Sequence, residues 1–144
     1  MSITCRIGTL EECVAVVEQV DEFVRKETVA SLQARLDGKT HLVLVAEEQG
    51  QLLGFKIGYQ LDEETFYSWF GGVAPAARNK GIAQLLLDEQ ESSLRKQGYQ
   101  AVKVKSRNQF PAMLRLLLRN SYLIEKFEEK EPLLESRIHF VKQL

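Results

Sequence analysis

A short turn rich in backbone donors and positive charge is the part of this sequence best suited to chemistry. Its residues are Arg78, Asn79, Lys80, Gly81, Ile82 and Ala83. An apolar run ending at Val73 precedes the turn, and a helical pattern over residues 84–97 follows it. The first N–H groups of a helix have no intrahelical partner, and the helix dipole adds partial positive charge there. We therefore expect the turn to bind a phosphorylated ligand, most simply a diphosphate, through its backbone.

Length and composition limit the classes of function open to the chain. Its 144 residues are 44% hydrophobic and 27% charged, which predicts one globular domain over residues 1–144. A net charge of −1 gives no reason to expect nucleic-acid binding, and no apolar run approaches the ~20 residues of a membrane span. Cys5 and Cys13 are too few for a disulfide scaffold and lack metal-ligand spacing. We expect reduced thiols, no metal and a cytoplasmic location.

The first half of the chain predicts one strand, two helices and three strands. Residues 2–7 suit a strand, and Thr9 with Glu12 forms a capping box that opens a helix. A second helix is expected from about Asp21 to Leu36. Three strands follow, at 40–46, at 53–59 and at 65–73. The period of two in the middle one predicts a half-buried strand.

The second half predicts helices that alternate with strands. A helix over about 80–97 ends before Gly98, a strand surrounds Val102, and another helix begins near Pro111. Two strands, around 122–127 and 137–141, complete the order βααβββαβαββ. The crossover through the helix after Val73 implies one parallel pair of strands, and short connections imply antiparallel ones. The predicted class is α/β, with one layer of mixed, mostly antiparallel sheet flanked by helices.

With that order of elements, the chain resembles the GCN5-related N-acetyltransferase (GNAT) family. The family signature is (Gln/Arg)-x-x-Gly-x-(Gly/Ala), after a strand that ends near Val-x-Pro. Arg78, Gly81 and Ala83 match the signature, and Val73 and Pro75 match the sequence that leads into it. The resemblance covers nearly the whole chain. It implies a GNAT-like fold and an acetyl-CoA-dependent N-acetyltransferase that acts on a primary amine, in a small molecule or a peptide.

The resemblance also implies where acetyl-CoA binds. The strand that ends at Val73 splays away from its parallel neighbour, and pantetheine enters the gap and pairs with the strand as a peptide would. The pyrophosphate lies on the N–H groups of residues 78–83, and Asn108 holds the pantetheine. A backbone N–H near Gly72 or Val73 is expected to bind the oxyanion that forms on the thioester.

The catalytic residues follow the family pattern less closely. Many relatives have a tyrosine that protonates the leaving thiolate, and Leu117 occupies that position here. Tyr67 stands where some relatives have a catalytic glutamate, and it is a candidate acid or water relay. Glu64 is the nearest carboxylate candidate for the base. The alternatives are a core aromatic for Tyr67 and a solvated turn charge for Glu64.

Other functions and the acceptor stay open at this point. The missing tyrosine also suits an acyl-CoA-binding or sensing module without turnover. Lys103, Lys105 and Arg107 form a basic strand face that could contact the 3′-phosphate of CoA or solvent, and nucleic-acid binding there is the weakest hypothesis. Asp21, Glu22 and Glu27 would suit a cationic acceptor, although a helix start favours acids anyway. No membrane partner is expected, and a homodimer is a possible assembly.

Overall fold

The computed structural model describes residues 2–21, 23 and 26–144. The described helices are α1 (Leu10–Val17), α2 (Val29–Leu36), α3 (Ile82–Lys96) and α4 (Pro111–Arg119). The described strands are β1 (Thr4–Ile7), β2 (His41–Glu48), β3 (Gln51–Gln60), β4 (Thr65–Val73), β5 (Ala101–Arg107), β6 (Leu123–Glu128) and β7 (Arg137–Gln143). One-turn 3₁₀ helices follow β4 and precede β7. The predicted order of helices and strands is confirmed.

The described strands form one seven-stranded sheet in the order β1-β2-β3-β4-β5-β7-β6. The β4–β5 pair is parallel and the other five pairs are antiparallel. The mixed sheet predicted from the crossover is therefore confirmed. The sequence pattern did not reveal that β7 lies between β5 and β6. The last strand, β7, lies between them and pairs antiparallel with both.

The capping box at the start of α1 is confirmed. The hydroxyl of Thr9 accepts the N–H of Glu12 at 3.1 Å, and the Glu12 carboxylate accepts the N–H of Thr9 at 3.0 Å. Arg6 then donates to Glu12 at 2.6 Å and to Glu47 of β2 at 2.7 Å. These contacts fix α1 against the edge of the sheet where β1 and β2 pair.

The predicted start of the second helix is wrong. Among the described residues, α2 begins at Val29 rather than near Asp21, because a second capping box forms at Thr28. The Thr28 hydroxyl accepts the N–H of Ser31, and the Ser31 hydroxyl accepts the N–H of Thr28. Lys26 donates to the carbonyl oxygens of Val17 and Val20 at the end of α1. Positions 22, 24 and 25 of the predicted helix lie outside the described residues.

Strand β3 is buried on both faces, so the prediction of a half-buried strand is also wrong. Phe55 on one face packs with the aromatic side chains near α1, while α3 covers the opposite face. A Cβ atom at Gly54 would stand 3.0 Å from Ile82, so the missing side chain lets α3 approach closely. This contact holds the first turn of α3 beside the end of β4. No described helix is both long enough and apolar enough to cross a bilayer.

Candidate functional site

Strands β4 and β5 separate halfway along β4. Their pairing runs from Thr65 opposite Ala101 to Ser68 opposite Val104 and then stops. β4 continues to Val73 with β3 as its partner, while β5 continues to pair with β7. The two strands therefore enclose a wedge that begins at Ser68. Along the wedge, no described strand pairs with one edge of β4.

A β-bulge lies where the wedge begins. Ser68 pairs with Gly58 and Phe70 pairs with Ile57, so Trp69 is the extra residue. Bulges re-aim side chains and often occur beside active sites. Here the Trp69 ring lies 6.0 Å from the ring of Tyr59, and the Phe70 ring lies 5.1 Å from that of Phe55. Two consecutive aromatic residues thus lie on the same face of the sheet.

The backbone beyond the bulge presents polar groups to the wedge. The N–H of Ala74 donates to the carbonyl of Leu53 at 2.8 Å, which fixes the phase of the β3–β4 ladder. In an antiparallel ladder, successive residues direct their polar groups alternately toward and away from the partner. The polar groups of Gly72 therefore point toward β3, and those of Gly71 and Val73 point into the wedge. Of the two predicted oxyanion donors, Val73 has the better direction.

The turn after the wedge is an exposed, uncapped helix start. Gly81 is the N-cap of α3, with φ of 77°, and no side chain caps the helix there. A Cβ atom at Gly81 would meet no described atom within 4 Å, so the space beside the start of α3 is open. Residues 78–81 are exposed, while the flanking Ala77 and Ile82 are buried and anchor the turn. This geometry suits an anion bound by backbone N–H groups.

Asn108 lies between β5 and α4, on the other side of the wedge. Its Nδ2 donates to the carbonyl of Leu133 at 3.2 Å, and its backbone N–H donates to the carbonyl of Ser136 at 3.2 Å. Both acceptors belong to the connection between β6 and β7. Asn108 therefore ties that connection to the end of β5, and its side-chain oxygen accepts no hydrogen bond from the residues that the structure describes.

Tyr67 is half-buried and lines a cavity of about 270 Å³. Its ring stacks edge to face on Tyr59 at 5.4 Å, and Lys105 Nζ stands 5.5 Å from its ring centroid. Burial raises the pKa of the Tyr67 hydroxyl, Tyr59 raises it further, and Arg137 and Arg35 oppose the shift. Tyr67 therefore stays protonated at neutral pH, as a proton donor or relay must.

Glu64 is exposed in the turn before β4 and does not line the cavity around Tyr67. Its backbone carbonyl accepts the N–H groups of Gln100 and Ala101 at 2.8 and 3.1 Å. Its own N–H donates to Asp62 Oδ1 at 2.9 Å. The structure thus brings Tyr67 to the mouth of the wedge, and it leaves the Glu64 side chain at the end of β4 distant from the phosphate turn.

The fold and the turn together have a match among known proteins. The family model described as "Acetyltransferase (GNAT) domain" matches residues 12–112, which include the wedge, the turn and the start of α4. The chain belongs to the GNAT acetyltransferase family. No protein of curated function matches this GNAT chain by sequence.

Solved structures agree with the GNAT fold. Ard1 from Thermoplasma volcanium matches with 15% identity and a TM-score of 0.85 over 100% of this chain and 99% of its own. The ribosomal-protein-S18-alanine N-acetyltransferase from Escherichia coli matches with 15% identity and a TM-score of 0.85 over 99% of this chain and 94% of its own. The protein yncA from Salmonella typhimurium was solved with its cofactor acetyl-CoA. It matches with 20% identity and a TM-score of 0.77 over 100% of this chain and 95% of its own. At these identities the likeness establishes the fold.

Leu117, which the family pattern predicts at the position of a tyrosine that many GNAT enzymes carry in α4, is fully buried in the core. The next tyrosine along the chain, Tyr122, is also buried, and its hydroxyl donates to Glu91 at 2.8 Å. Within the described part of the chain, no cluster of His, Cys, Asp and Glu side chains is arranged to hold a metal ion.

Two polar groups near the GNAT site were missed from the sequence. Lys56 lies between two glycines in β3, a strand that was predicted to be half-buried, yet its side chain is buried beneath α3. His139 reads as an ordinary strand residue, yet it lines the cavity beside Lys105 and lies 2.9 Å from Glu128. Only the pairing of β5 with β7, which the sequence did not reveal, brings His139 there.

Proposed function

We propose that this chain transfers an acetyl group from acetyl-CoA to a primary amine by direct attack of the amine on the thioester. The observation that carries the proposal is the wedge. It begins where β4–β5 pairing stops at Ser68, and it leads along β4 to the uncapped helix start at Gly81. An extended ligand with amides at one end and phosphates at the other is complementary to this path.

The chain would hold acetyl-CoA mainly by its backbone. The pyrophosphate would accept from N–H groups of the turn formed by Arg78, Asn79, Lys80, Gly81, Ile82 and Ala83. The pantetheine amides would pair with the free edge of β4 near Gly71 and Val73, with Gly72 between them, as in strand addition to a sheet edge. Asn108, on the far side of the wedge, would accept from a pantetheine amide through its side-chain oxygen.

In the reaction, the amine nitrogen forms a bond to the thioester carbon, and the carbon–sulfur bond then breaks. An alkyl ammonium with pKa near 10.4 must first lose a proton, which costs about 4.6 kcal/mol at neutral pH. Alignment of the two reactants can contribute ~7–11 kcal/mol, so positioning outweighs this cost. The N–H of Val73 would stabilise the oxyanion. The amine proton would leave through water, and the thiolate would take up a proton.

Tyr67 is our candidate for handling that proton. Its hydroxyl is held in the protonated form and lines the cavity from which an amine would approach. It would donate to the leaving sulfur or relay the proton through water. Glu64 stays a prediction for the base. Its exposed position requires a water chain, so its replacement by glutamine is expected to affect the rate less than loss of the Tyr67 hydroxyl.

The proposal is tested by binding and by turnover. Acetyl-CoA should raise the melting temperature, and an accepted amine should release free thiol from acetyl-CoA. The amine panel should include small amines and a peptide that begins with alanine, because the Escherichia coli structural neighbour is named as an alanine N-acetyltransferase. Absence of a thermal shift at millimolar acetyl-CoA would exclude the wedge as the site.

A second candidate function is acyl-CoA binding without turnover. The buried Leu117 favours it, because no tyrosine from α4 reaches the leaving sulfur. This function predicts the same thermal shift and no thiol release with any amine. One accepted amine would eliminate it.

Location and assembly of the enzyme stay predictions. Cys5 is half-buried and Cys13 is buried, and both are free thiols, as expected for a cytoplasmic protein. A homodimer would be detected by sizing the protein with and without acetyl-CoA.

A further inference from the structure

The cavity beside Tyr67 opens on the face of the sheet opposite α3. Its lining includes Tyr59, Leu61, Tyr67, Lys103, Lys105 and His139. Tyr67 pairs with Lys103 in the last part of the β4–β5 ladder, so the cavity lies at the start of the wedge. An amine that attacks a thioester held in the wedge would pass through this cavity. The groups around the cavity therefore select the acceptor.

Glu125, which lines the cavity, and Glu128, which contacts His139 of the lining, are both ion-paired. Glu125 forms an ion pair with Lys103 at 3.3 Å. Glu128 contacts Lys130 at 2.8 Å and His139 at 2.9 Å, and these two partners lower the pKa of Glu128 to about 2. Neither carboxylate is left to bind an ammonium group.

Two cations near the cavity, Lys105 and Arg35, have no such partner among the described residues. Lys105 stands over the Tyr67 ring, and Arg35 stands 4.7 Å from the Trp69 ring centroid. Arg137 also affects the Tyr67 hydroxyl, but it pairs with Glu128 across the β6–β7 ladder, and its charge helps to lower the pKa of that carboxylate. In the described part of the chain, neither Lys105 nor Arg35 forms an ion pair with a carboxylate. The entrance therefore has an uncompensated positive charge set among aromatic rings.

The acidic residues that suggested a cationic acceptor lie elsewhere. Glu27 accepts the hydroxyl of Ser31 at 2.8 Å and so belongs to the start of α2. Asp21 is exposed in a turn, and neither residue lines the cavity. Glu22 lies outside the described residues.

We propose that the acceptor is a small primary amine that also carries a carboxylate or phosphate group. The proposal rests on the acetyltransferase function proposed above. Lys105, with Arg35 nearby, binds the anionic group, and the rings of Tyr59 and Tyr67 enclose the carbon chain between the anion and the amine. The same positive charge disfavours the ammonium form of the acceptor. It therefore assists loss of the proton from the amine.

Matched pairs of amines test the proposal in two ways. γ-Aminobutyrate is compared with γ-aminobutyramide, and aminoethyl phosphate with ethanolamine, so that each pair differs in the anionic group. Thiol release gives kcat/KM, and fluorescence of Trp69, the one tryptophan of the sequence, gives binding in the presence of CoA. The first pair tests a carboxylate and the second a phosphate, so comparing the two pairs shows which anion the site binds. The variants are Lys105→Met and the control Lys96→Met, which removes the same charge from the end of α3.

Acetyl-CoA should stabilise all three proteins equally. At least one anionic amine should bind or react about tenfold better than its neutral partner, as expected for one charge-assisted contact of about 1.4 kcal/mol. Lys105→Met should lose this preference and Lys96→Met should keep it. Equal binding and turnover of charged and neutral amines, or no response to any anionic amine while acetyl-CoA binds, would overturn the proposal alone. Failure to bind acetyl-CoA would overturn the proposed function and this inference together.

Discussion

The hydroxyl of Tyr122 donates a 2.8 Å hydrogen bond to Oε2 of Glu91, which joins the residue before β6 to the middle of α3. The other oxygen of Glu91 accepts from Lys142 at 2.9 Å and from Arg95 at 3.3 Å. Tyr122 and Glu91 are both buried. Burial, together with the bond to Glu91, raises the pKa of Tyr122. This tyrosine is therefore committed to the fold and is not the proton donor missing from α4.

Replacing Tyr122 with phenylalanine should lower stability and leave catalysis intact. The change removes a buried hydrogen bond to a charged group, which is worth about 1.5–3 kcal/mol. We expect that loss in the free energy of unfolding by urea, and a kcat within about twofold of the parent enzyme. A fall in kcat of tenfold or more with unchanged stability would instead identify Tyr122 as a participant in the reaction.

Replacing Gly81 with glutamate should abolish acetyl-CoA binding while the chain still folds. The carboxylate would project into the space proposed for the pyrophosphate, and its charge would repel the ligand. Gly98 offers a matched control, because it has φ of 90°, lies just beyond the other end of α3 and also faces open space. Both changes strain the backbone to a similar degree, by about 1 kcal/mol.

Calorimetric titration with acetyl-CoA separates these two variants. Gly98→Glu should bind acetyl-CoA as the parent does, and Gly81→Glu should not bind. Equal affinities in the two variants would show that the turn is not the phosphate site.

Replacing Lys56 with methionine should stabilise the protein. Lys56 is buried opposite Gly71, and burial lowers its pKa to about 8, an effect that the charge of Glu91 opposes. Since the folded pKa lies below the ordinary 10.5, the unfolded chain holds more protons between pH 8 and pH 10.5, and stability rises with pH there. The charged lysine thus costs about 3 kcal/mol below pH 8.

Unfolding curves at several pH values check this prediction. Lys56→Met should be more stable than the parent at pH 7 by about 2 kcal/mol, and the advantage should shrink as pH rises toward 10.5. Thiols and tyrosines also titrate in this window, so the difference between the two proteins is the quantity to follow. A constant difference across the window would show that Lys56 titrates normally.

Replacing Tyr67 with phenylalanine should lower kcat by at least about 10²-fold if its hydroxyl handles the proton. The raised pKa of Tyr67 means that the protonated form persists up to its ordinary value near 10, so ionisation of Tyr67 should not reduce kcat between pH 7 and pH 10. Tyr99→Phe is the control, because it removes a tyrosine hydroxyl that binds Gln60 away from the cavity. Similar kcat values for Tyr67→Phe and Tyr99→Phe would show that the Tyr67 hydroxyl takes no part in the reaction and that its ring only packs.

Local signals predicted much of this structure from the sequence. Thr9 and Glu12 fixed the start of α1, Gly98 marked the end of α3, and the turn at Gly81 predicted an open helix start that the structure contains. These features depend on residues close together in the chain. The predicted start of α2 was wrong because the prediction followed the apolar pattern from Asp21 onward, whereas the helix begins at the capping box that Thr28 and Ser31 form.

Features that depend on distant residues were not accessible. The alternating pattern of β3 predicted one solvent-facing side, because it does not show that α3 covers the side that carries Lys56. His139 and Lys105 meet only because β7 enters the sheet between β5 and β6. The charge around the cavity follows from ion pairs across three strands, and these pairs are invisible in a linear sequence.

The parallel seam between β4 and β5 contains four residue pairs, and it is the sole strand pairing that links the sheet's β1–β4 half to its β5–β7 half in the described structure. A pantetheine chain bound along the free edge of β4 would add contacts that hold the two halves of the sheet together. Each half should then flex against the other when the donor is scarce and stiffen when it is plentiful, by an amount set by ligand concentration relative to Kd. The enzyme's rigidity would thus follow the supply of its own acyl donor.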